Sequence, residues 1–243
     1  MAIASIEVPR WDGPLPTREE VAKMIDHSLL RPELTPADVQ AGLTTALAYS
    51  TASVCVRPTD VEAASAALRG TPVAVGTVVA FPHGSGTTPT KVFETTELIA
   101  LGADEIDMVI DIGRLRAGDT TFTQDEIAAV VEAAAGRPVK VIFENSYLTQ
   151  EQKVAGYRAA EAAGAAFVKT STGFAAGGAT AQDIALMRRT VSAAVQVKAA
   201  GGVRTLDALL ELNRLGATRF GATATAAILD DVEERRRRLL DVR

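Results

Sequence analysis

Three lysines stand where lysines are seldom found. Lys140 interrupts Val139-Lys140-Val141-Ile142-Phe143, Lys169 follows Ala166-Phe167-Val168, and Lys198 sits between Val197 and Ala199. Lysine is rarely buried without compensation, so an ammonium group in an apolar run needs a partner or a purpose. Only six of the 25 basic residues are lysines; where charge alone is wanted, this chain usually writes Arg. Arg cannot give up its proton at working pH, whereas a neutral lysine amine attacks a carbonyl and forms an imine. Two cations roughly 5 Å apart at an effective dielectric near 20 repel by roughly 3 kcal/mol, or roughly two pKa units. Lys169 and Lys198, on successive apolar runs, are therefore expected to keep one another partly neutral, with burial adding to the effect. A set of buried ion pairs is the structural alternative for any one of them. Three together, in a chain that prefers Arg, favour amine chemistry.

Carboxylates are spaced to answer them. Period-two alternation puts Glu105, Asp107 and Val109 on one face of a strand and Met108 on the other, while Lys140, Ile142 and Glu144 share a face in the next. Asp107 and Lys140 are expected as neighbours on adjacent strands. Glycine clusters follow the same runs: Ser171-Thr172-Gly173, Gly201-Gly202-Val203-Arg204 and Gly221-Ala222-Thr223. Glycine lets backbone N–H groups approach an anion, and the hydroxyls and Arg204 add donors, so a phosphate site is expected there. No P-loop pattern is present, and His83-Gly84-Ser85-Gly86 lacks the continuation of a dinucleotide fingerprint.

Composition narrows the field. The 243 residues carry 25 Lys plus Arg against 30 Asp plus Glu, a net charge of -5. Such a chain has no global field for nucleic acid or an anionic membrane. One Cys excludes a disulfide framework, and two His with it do not furnish an ordinary zinc site without carboxylates. No apolar run reaches the roughly 18 residues of a spanning helix. Met1 to Arg10, with Glu7 and Pro9, lacks a signal pattern, so a cytoplasmic location is expected.

The elements that must position these groups repeat one theme. Strands are expected at Met24–His27, Ser53–Val56, Val73–Val79, Glu105–Ile110, Val139–Phe143, Ala166–Lys169, Val195–Lys198 and Arg219–Gly221. Helical patterns lie near 36–48, 59–68, 90–101, 124–135, 150–163, 181–193, 205–215 and 223–240. Thr17 with Glu20, Thr35-Pro36, and Thr123 with Glu126 read as helix starts; Gly70, Gly102, Gly136, Gly164 and Gly216 read as stops. Eight alternating units in about 240 residues point to a closed (β/α)8 barrel in one domain, residues 17–243, behind an irregular arm at 1–16. An open doubly wound sheet is the competitor. The Arg235–Arg238 run reads as a solvated helical face.

At these residues the chain resembles the deoxyribose-phosphate aldolases, a family of Schiff-base (class I) aldolases on a (β/α)8 barrel. The matching segments span most of the chain: Ile25 to Leu30 with Pro32, Val54-Cys55-Val56, Phe81-Pro82-His83-Gly84, Gly102 to Asp107, Val139 to Ile142 with Glu144, Phe167 to Phe174, Lys198 to Thr205, and Arg219-Phe220-Gly221. The runs around Lys169 and Lys198 are the most specific. The resemblance implies reversible cleavage of 2-deoxy-D-ribose 5-phosphate to D-glyceraldehyde 3-phosphate and acetaldehyde. It implies that Lys169 forms the imine, that Lys198 lowers its pKa and orients the intermediate, and that Asp107 moves protons through a bound water. Gly173, Gly202, Val203, Arg204 and Gly221 fall where the family holds the phosphate, and the glycine-cluster reading adds Gly201 and Thr223. Asp26, Ser28 and Lys140 would be supporting polar groups. The imine is the electron sink, so the resemblance implies no metal or organic cofactor. The implied partners are small molecules, phosphorylated sugar and aldehydes, with a homodimer as the family's common assembly.

The chain departs from the family at Ser28, where Thr is usual, at Asn145-Ser146-Tyr147 after Glu144, and at Thr223-Ala224, where two serines are common. Cys55 and His27 read as core residues, His83 as a loop residue and Trp11 as an anchor for the arm. The alternatives are a Schiff-base aldolase for another phosphorylated sugar, a metal-free phosphate-binding barrel isomerase using Asp107 and Glu144, and a catalytically silent barrel.

Overall fold

The computed structural model describes residues 14–241; most of the expected arm, including Trp11, lies outside the described residues. The strands are β1 Ile25–Leu29, β2 Ser53–Val56, β3 Ala74–Val79, β4 Glu105–Val109, β5 Val139–Ile142, β6 Phe167–Lys169, β7 Gln196–Ala200 and β8 Arg219–Ala222. Each pairs in parallel with the next, and β8 pairs back to β1, which closes the barrel and removes the open-sheet competitor. The helices are α1 Arg18–Ala22, α2 Pro36–Tyr49, α3 Val61–Leu68, α4 Thr88–Ala100, α5 Ile112–Arg116, α6 Thr120–Ala133, α7 Gln150–Ala162, α8 Ala181–Thr190, α9 Leu206–Arg214 and α10 Thr225–Asp241.

Every residue of β4 and β5 is buried, as expected of strands with helices on one side and a filled interior on the other. Ile106, Met108, Val141, Val168 and Val197 join Leu98, Ile127, Val130, Tyr157, Ile184 and Leu209 of the helices in one apolar cluster. Capping boxes open α1 at Thr17 with Glu20 and α2 at Thr35 with Asp38. Gly102 and Gly216 end α4 and α9 with φ of 105° and 107°, a region that side chains disfavour.

One expected start is corrected. Asp119, not Thr123, caps α6. Thr123 lies inside that helix, its Oγ1 donating to the Asp119 carbonyl at 3.1 Å, and Glu126 turns inward to meet Lys91 at 2.7 Å. A buried cationic partner on α4 outcompetes a surface capping role for that carboxylate. The short α5 and the 3-10 turn at Asn145–Tyr147 have no counterpart in the sequence pattern, being too brief to show a period, while the helical stretch expected at 59–68 begins as a 3-10 turn at Pro58–Asp60 before α3. Of the Arg235–Arg238 run only Arg237 and Arg238 are exposed, paired to Glu234, whereas the half-buried Arg235 and Arg236 reach Asp207 and the Leu15 carbonyl.

Barrel interiors are usually filled by branched apolar side chains. Here ion pairs across the barrel join Asp26, Glu105, Asp107, Lys140, Lys169, Lys198 and Arg219.

Candidate active site

The strand register brings the charged groups together in pairs. Asp107 is the direct neighbour of Lys140 across β4 and β5, and Lys169 that of Lys198 across β6 and β7. Asp107 is their common acceptor. Its Oδ2 receives hydrogen bonds from Lys169 Nζ and Lys198 Nζ, both at 2.7 Å, and its Oδ1 from Lys140 Nζ at 2.9 Å. Lys198 Nζ also donates to Asp26 Oδ2 at 2.5 Å. Lys140 continues to Glu105 at 2.6 Å, and Arg219 Nη1 closes the network on Asp26 Oδ1 at 2.7 Å and Glu105 Oε2 at 3.2 Å. Ser53 Oγ adds a donor to Asp26 Oδ1 at 2.7 Å.

The three amines do not share one electrostatic fate. Burial is the largest influence on Lys169 and lowers its pKa; Asp107 opposes this, and the charge of Lys198 adds to the lowering. Burial also disfavours charge on Lys198, but Asp107 and Asp26 outweigh it and raise its pKa. Lys140, likewise buried, is held well above the usual lysine range by Asp107, Asp26 and Glu105. Burial alone would raise Asp107, yet the three lysines together bring it below the ordinary carboxylate range. The expected mutual neutralisation is thus corrected. Lys198 stays cationic, and Lys169 alone is pushed toward the neutral amine, chiefly by burial.

Above this network opens a cavity of about 380 Å³ at the C-terminal ends of the strands. Lys169 and Lys198 reach its wall, together with Asp26 and Ser28 of β1, whereas Asp107 and Lys140 lie fully buried and do not line it. One side is built from Gly173, Gly201, Gly202, Val203, Arg204, Gly221 and Thr223, every residue expected around a phosphate. Gly201 and Gly202 adopt φ of 84° and 88° in succession, a turn that side chains would strain. At Gly221 a Cβ would stand 3.3 Å from the Ala200 Cβ and 3.8 Å from Lys198 Cε, so the bare backbone leaves room beside the lysine. Leu30, Cys55 and Phe174 also line the cavity; Phe174 meets Phe81 edge-on with ring centres 5.2 Å apart.

Buried side chains steady two of the neighbouring loops. Glu144, at the end of β5, accepts from the Thr172 N–H at 3.0 Å and from the Thr172 hydroxyl, and that hydroxyl in turn accepts from the Phe174 N–H at 3.0 Å. The Thr172–Phe174 turn that presents Gly173 is fixed in this way. Lys91 Nζ donates to the Val109 carbonyl at 2.8 Å, and Glu126 accepts from the Asp111 N–H at 2.9 Å, which ties the end of β4 to α4 and α6.

The pattern for DeoC/LacD family aldolases matches residues 20–228, nearly the whole barrel. The chain belongs to the DeoC/LacD aldolase family. Among relatives in the family, a deoxyribose-phosphate aldolase of Clostridium perfringens is 50% identical over 214 residues, covering 88% of this chain and 96% of its own. Deoxyribose-phosphate aldolase 2 of Bacillus licheniformis is 50% identical with the same coverage. A tetrameric deoxyribose phosphate aldolase from Aeropyrum pernix, 25% identical, superposes with a TM-score of 0.83 over 89% of this chain and 92% of that one.

Membership in the aldolase family agrees with a barrel whose amines are gathered at one carboxylate, and the sequence reading located most of that group. Glu105, expected on the face of Asp107, meets Lys140 at 2.6 Å; Arg219 as a member of the network, and Arg31, Glu33 and Phe174 as walls of the cavity, were not anticipated. Alternation also reaches Arg219, which precedes Gly221 by two residues and so shares its face. Of the residues read as bland, His27 is buried outside the network, its Nδ1 2.8 Å from Thr225 Oγ1, and burial lowers its pKa to about 4. Cys55 is buried and its thiol is pushed up to about 11, first by burial and then by Asp107. His83 is exposed on its loop.

Proposed function

We propose that the chain cleaves 2-deoxy-D-ribose 5-phosphate reversibly to D-glyceraldehyde 3-phosphate and acetaldehyde through an imine at Lys169. The observation that carries this reading is a buried lysine with a lowered pKa that reaches a cavity walled on one side by backbone turns suited to an anion. The neutral Lys169 amine attacks the C1 aldehyde of the open-chain sugar; loss of water from the carbinolamine leaves a cationic imine. The C3 hydroxyl then loses its proton, the C2–C3 bond breaks, and its electron pair flows into the imine to give an enamine while glyceraldehyde 3-phosphate departs. Protonation at C2 and addition of water release acetaldehyde and restore the amine.

Each neighbouring group has a part in this scheme. Lys198, cationic and 2.7 Å from the same Asp107 oxygen, orients the intermediate and supplies positive charge. Asp107 passes protons between the amines and reaches the substrate through a water. Lys140 holds Asp107 and Asp26 in place, and Asp26 and Ser28 offer polar contacts from β1. Gly173, Gly201, Gly202, Val203, Arg204, Gly221 and Thr223 receive the phosphate, the lone hydroxyl of Thr223 standing before Ala224. No helix among the described residues is long and apolar enough to cross a membrane. A cytoplasmic homo-oligomer acting on small molecules completes the reading.

The isomerase alternative requires carboxylates that reach the substrate, yet Asp107 is shared by three lysines and neither Asp107 nor Glu144 lines the cavity. Borohydride reduction with acetaldehyde tests the proposal. A stable adduct mapped to Lys169, and loss of aldehyde release from deoxyribose 5-phosphate in Lys169→Arg, are expected. A wild-type chain that turns over the sugar without any trapped adduct refutes the imine.

A further inference from the structure

Arg219 and Glu105 occupy the first positions of β8 and β4, at the end of the barrel opposite the cavity, and neither lines it. They nevertheless belong to the connected network beneath it, Arg219 through Asp26 and Glu105, and Glu105 through Lys140. That network contains three carboxylates, Asp26, Glu105 and Asp107, and, besides Lys169, three cations, Lys140, Lys198 and Arg219. With Lys169 as an amine the charges cancel. With Lys169 as an ammonium the interior carries one uncompensated positive charge, and a buried unbalanced charge is strongly disfavoured.

We infer that Arg219 and Glu105 set the charge state of Lys169 from the far end of the barrel, as positioning residues that act through Asp26 and Lys140. The inference rests on the imine reading of Lys169 and extends it to residues that touch no substrate. Asp107 from β4, Lys198 from β7 and Cys55 from β2 act on Lys169 directly; behind them the connected network adds Asp26 from β1, Glu105 from β4, Lys140 from β5 and Arg219 from β8, and β3 brings no titratable side chain. Cys55 is neutral, since burial holds its thiol high. Glu144 beyond β5 is engaged by Thr172 outside the connected network, and Arg31, Glu33 and Arg204 at the rim are exposed and screened by solvent. The directions agree: of the three interior lysines only Lys169 is lowered.

The charge count makes an unusual demand, because two substitutions at one spot must move the nucleophile in opposite directions. Arg219→Met removes a cation and leaves an excess of carboxylate, so Lys169 holds its proton longer. The acid limb of kcat/KM, and of borohydride trapping of acetaldehyde at Lys169 read by mass spectrometry, is expected to rise by about one pH unit. Glu105→Gln removes an anion and is expected to lower the same limb by a similar amount. The double variant returns it to the wild-type position, and Arg219→Lys leaves it there. Circular dichroism confirms folding; if Arg219→Met does not fold, Glu105→Gln and the double variant still decide. Limbs that stay fixed, or move the same way in both single variants, overturn the inference. A wild-type chain that yields no adduct at any pH overturns the imine reading and this one together, a result distinct from a wild-type adduct whose profile no variant moves.

Discussion

Lys198 is cationic because two carboxylates hold it so, and its charge acts on Lys169 in two ways. It repels a second ammonium directly, and it occupies the Asp107 and Asp26 oxygens that would otherwise stabilise one. Lys198→Leu removes both effects, so the acid limb of the activity profile is expected to move to higher pH by about one unit or more. A profile that stays in place removes Lys198 from the control of Lys169. Glu144 works at the same scale on a different group. Replacing it with Gln keeps the shape but weakens the charge-assisted grip on Thr172, loosening the turn at Gly173 by about 1 kcal/mol. A KM about five-fold higher for the phosphorylated sugar is expected, with kcat/KM for unphosphorylated deoxyribose nearly unchanged. An equal loss on both substrates places the effect on the imine chemistry instead.

Between elements, the most consequential pair is Lys91 on α4 and Glu126 on α6, both buried and 2.7 Å apart. Removing one partner leaves a buried charge without compensation, so Lys91→Met is expected to cost about 3–5 kcal/mol, while Lys91→Met with Glu126→Leu recovers most of it. Thermal melts of the single and double variants measure this. Nothing in the sequence pattern announces the pair. Helical periodicity assigns Lys and Glu to the wet face by default, and only the packing of α4 on α6 shows that the default fails here. The strands were far more legible, because runs such as Val73–Val79 have few other uses, and every expected strand lies within about two residues of the observed one. Lys140, Lys169 and Lys198 stood out for the same reason, as charges inside apolar runs. Arg219 did not, since it sits at a strand start, where exposed charges are ordinary. Leu30, Arg31 and Phe174 lie on loops, whose folding over a cavity leaves no periodic trace.

At the scale of the whole molecule, pH reaches stability through groups that the barrel keeps in one ionisation state. His27 is neutral in the fold, with its pKa lowered to about 4 from an ordinary 6.5 by burial. Its contribution is complete above about pH 6.5 and is lost as pH falls toward about 4, because the unfolded chain takes up the proton first. The amount is on the order of 3 kcal/mol. The wild-type melting temperature is therefore expected to fall between those limits, and His27→Asn to show a flatter curve in that window. Asp26 and Asp107 titrate lower. Burial would raise both, but the surrounding cations bring both down, so their contribution is held above the ordinary carboxylate range and disappears as acid reaches their folded values. A variant whose melting curve keeps its full slope from pH 6.5 to 4 shows that His27 is not the group responsible.

The cavity's geometry has one more outcome. In the proposed reaction, Lys169 and the Gly173, Gly201–Arg204 and Gly221–Thr223 wall, which line one cavity, serve as separate fastening points for a single small molecule. A sugar phosphate tethered covalently at one end and cradled at the other cannot turn over like a loose guest. In the synthetic direction the arriving aldehyde, already gripped by its phosphate, offers the enamine only one side of its carbonyl. The handedness of the new carbinol centre is then decided by where the molecule is fastened, with no chiral base required to choose it.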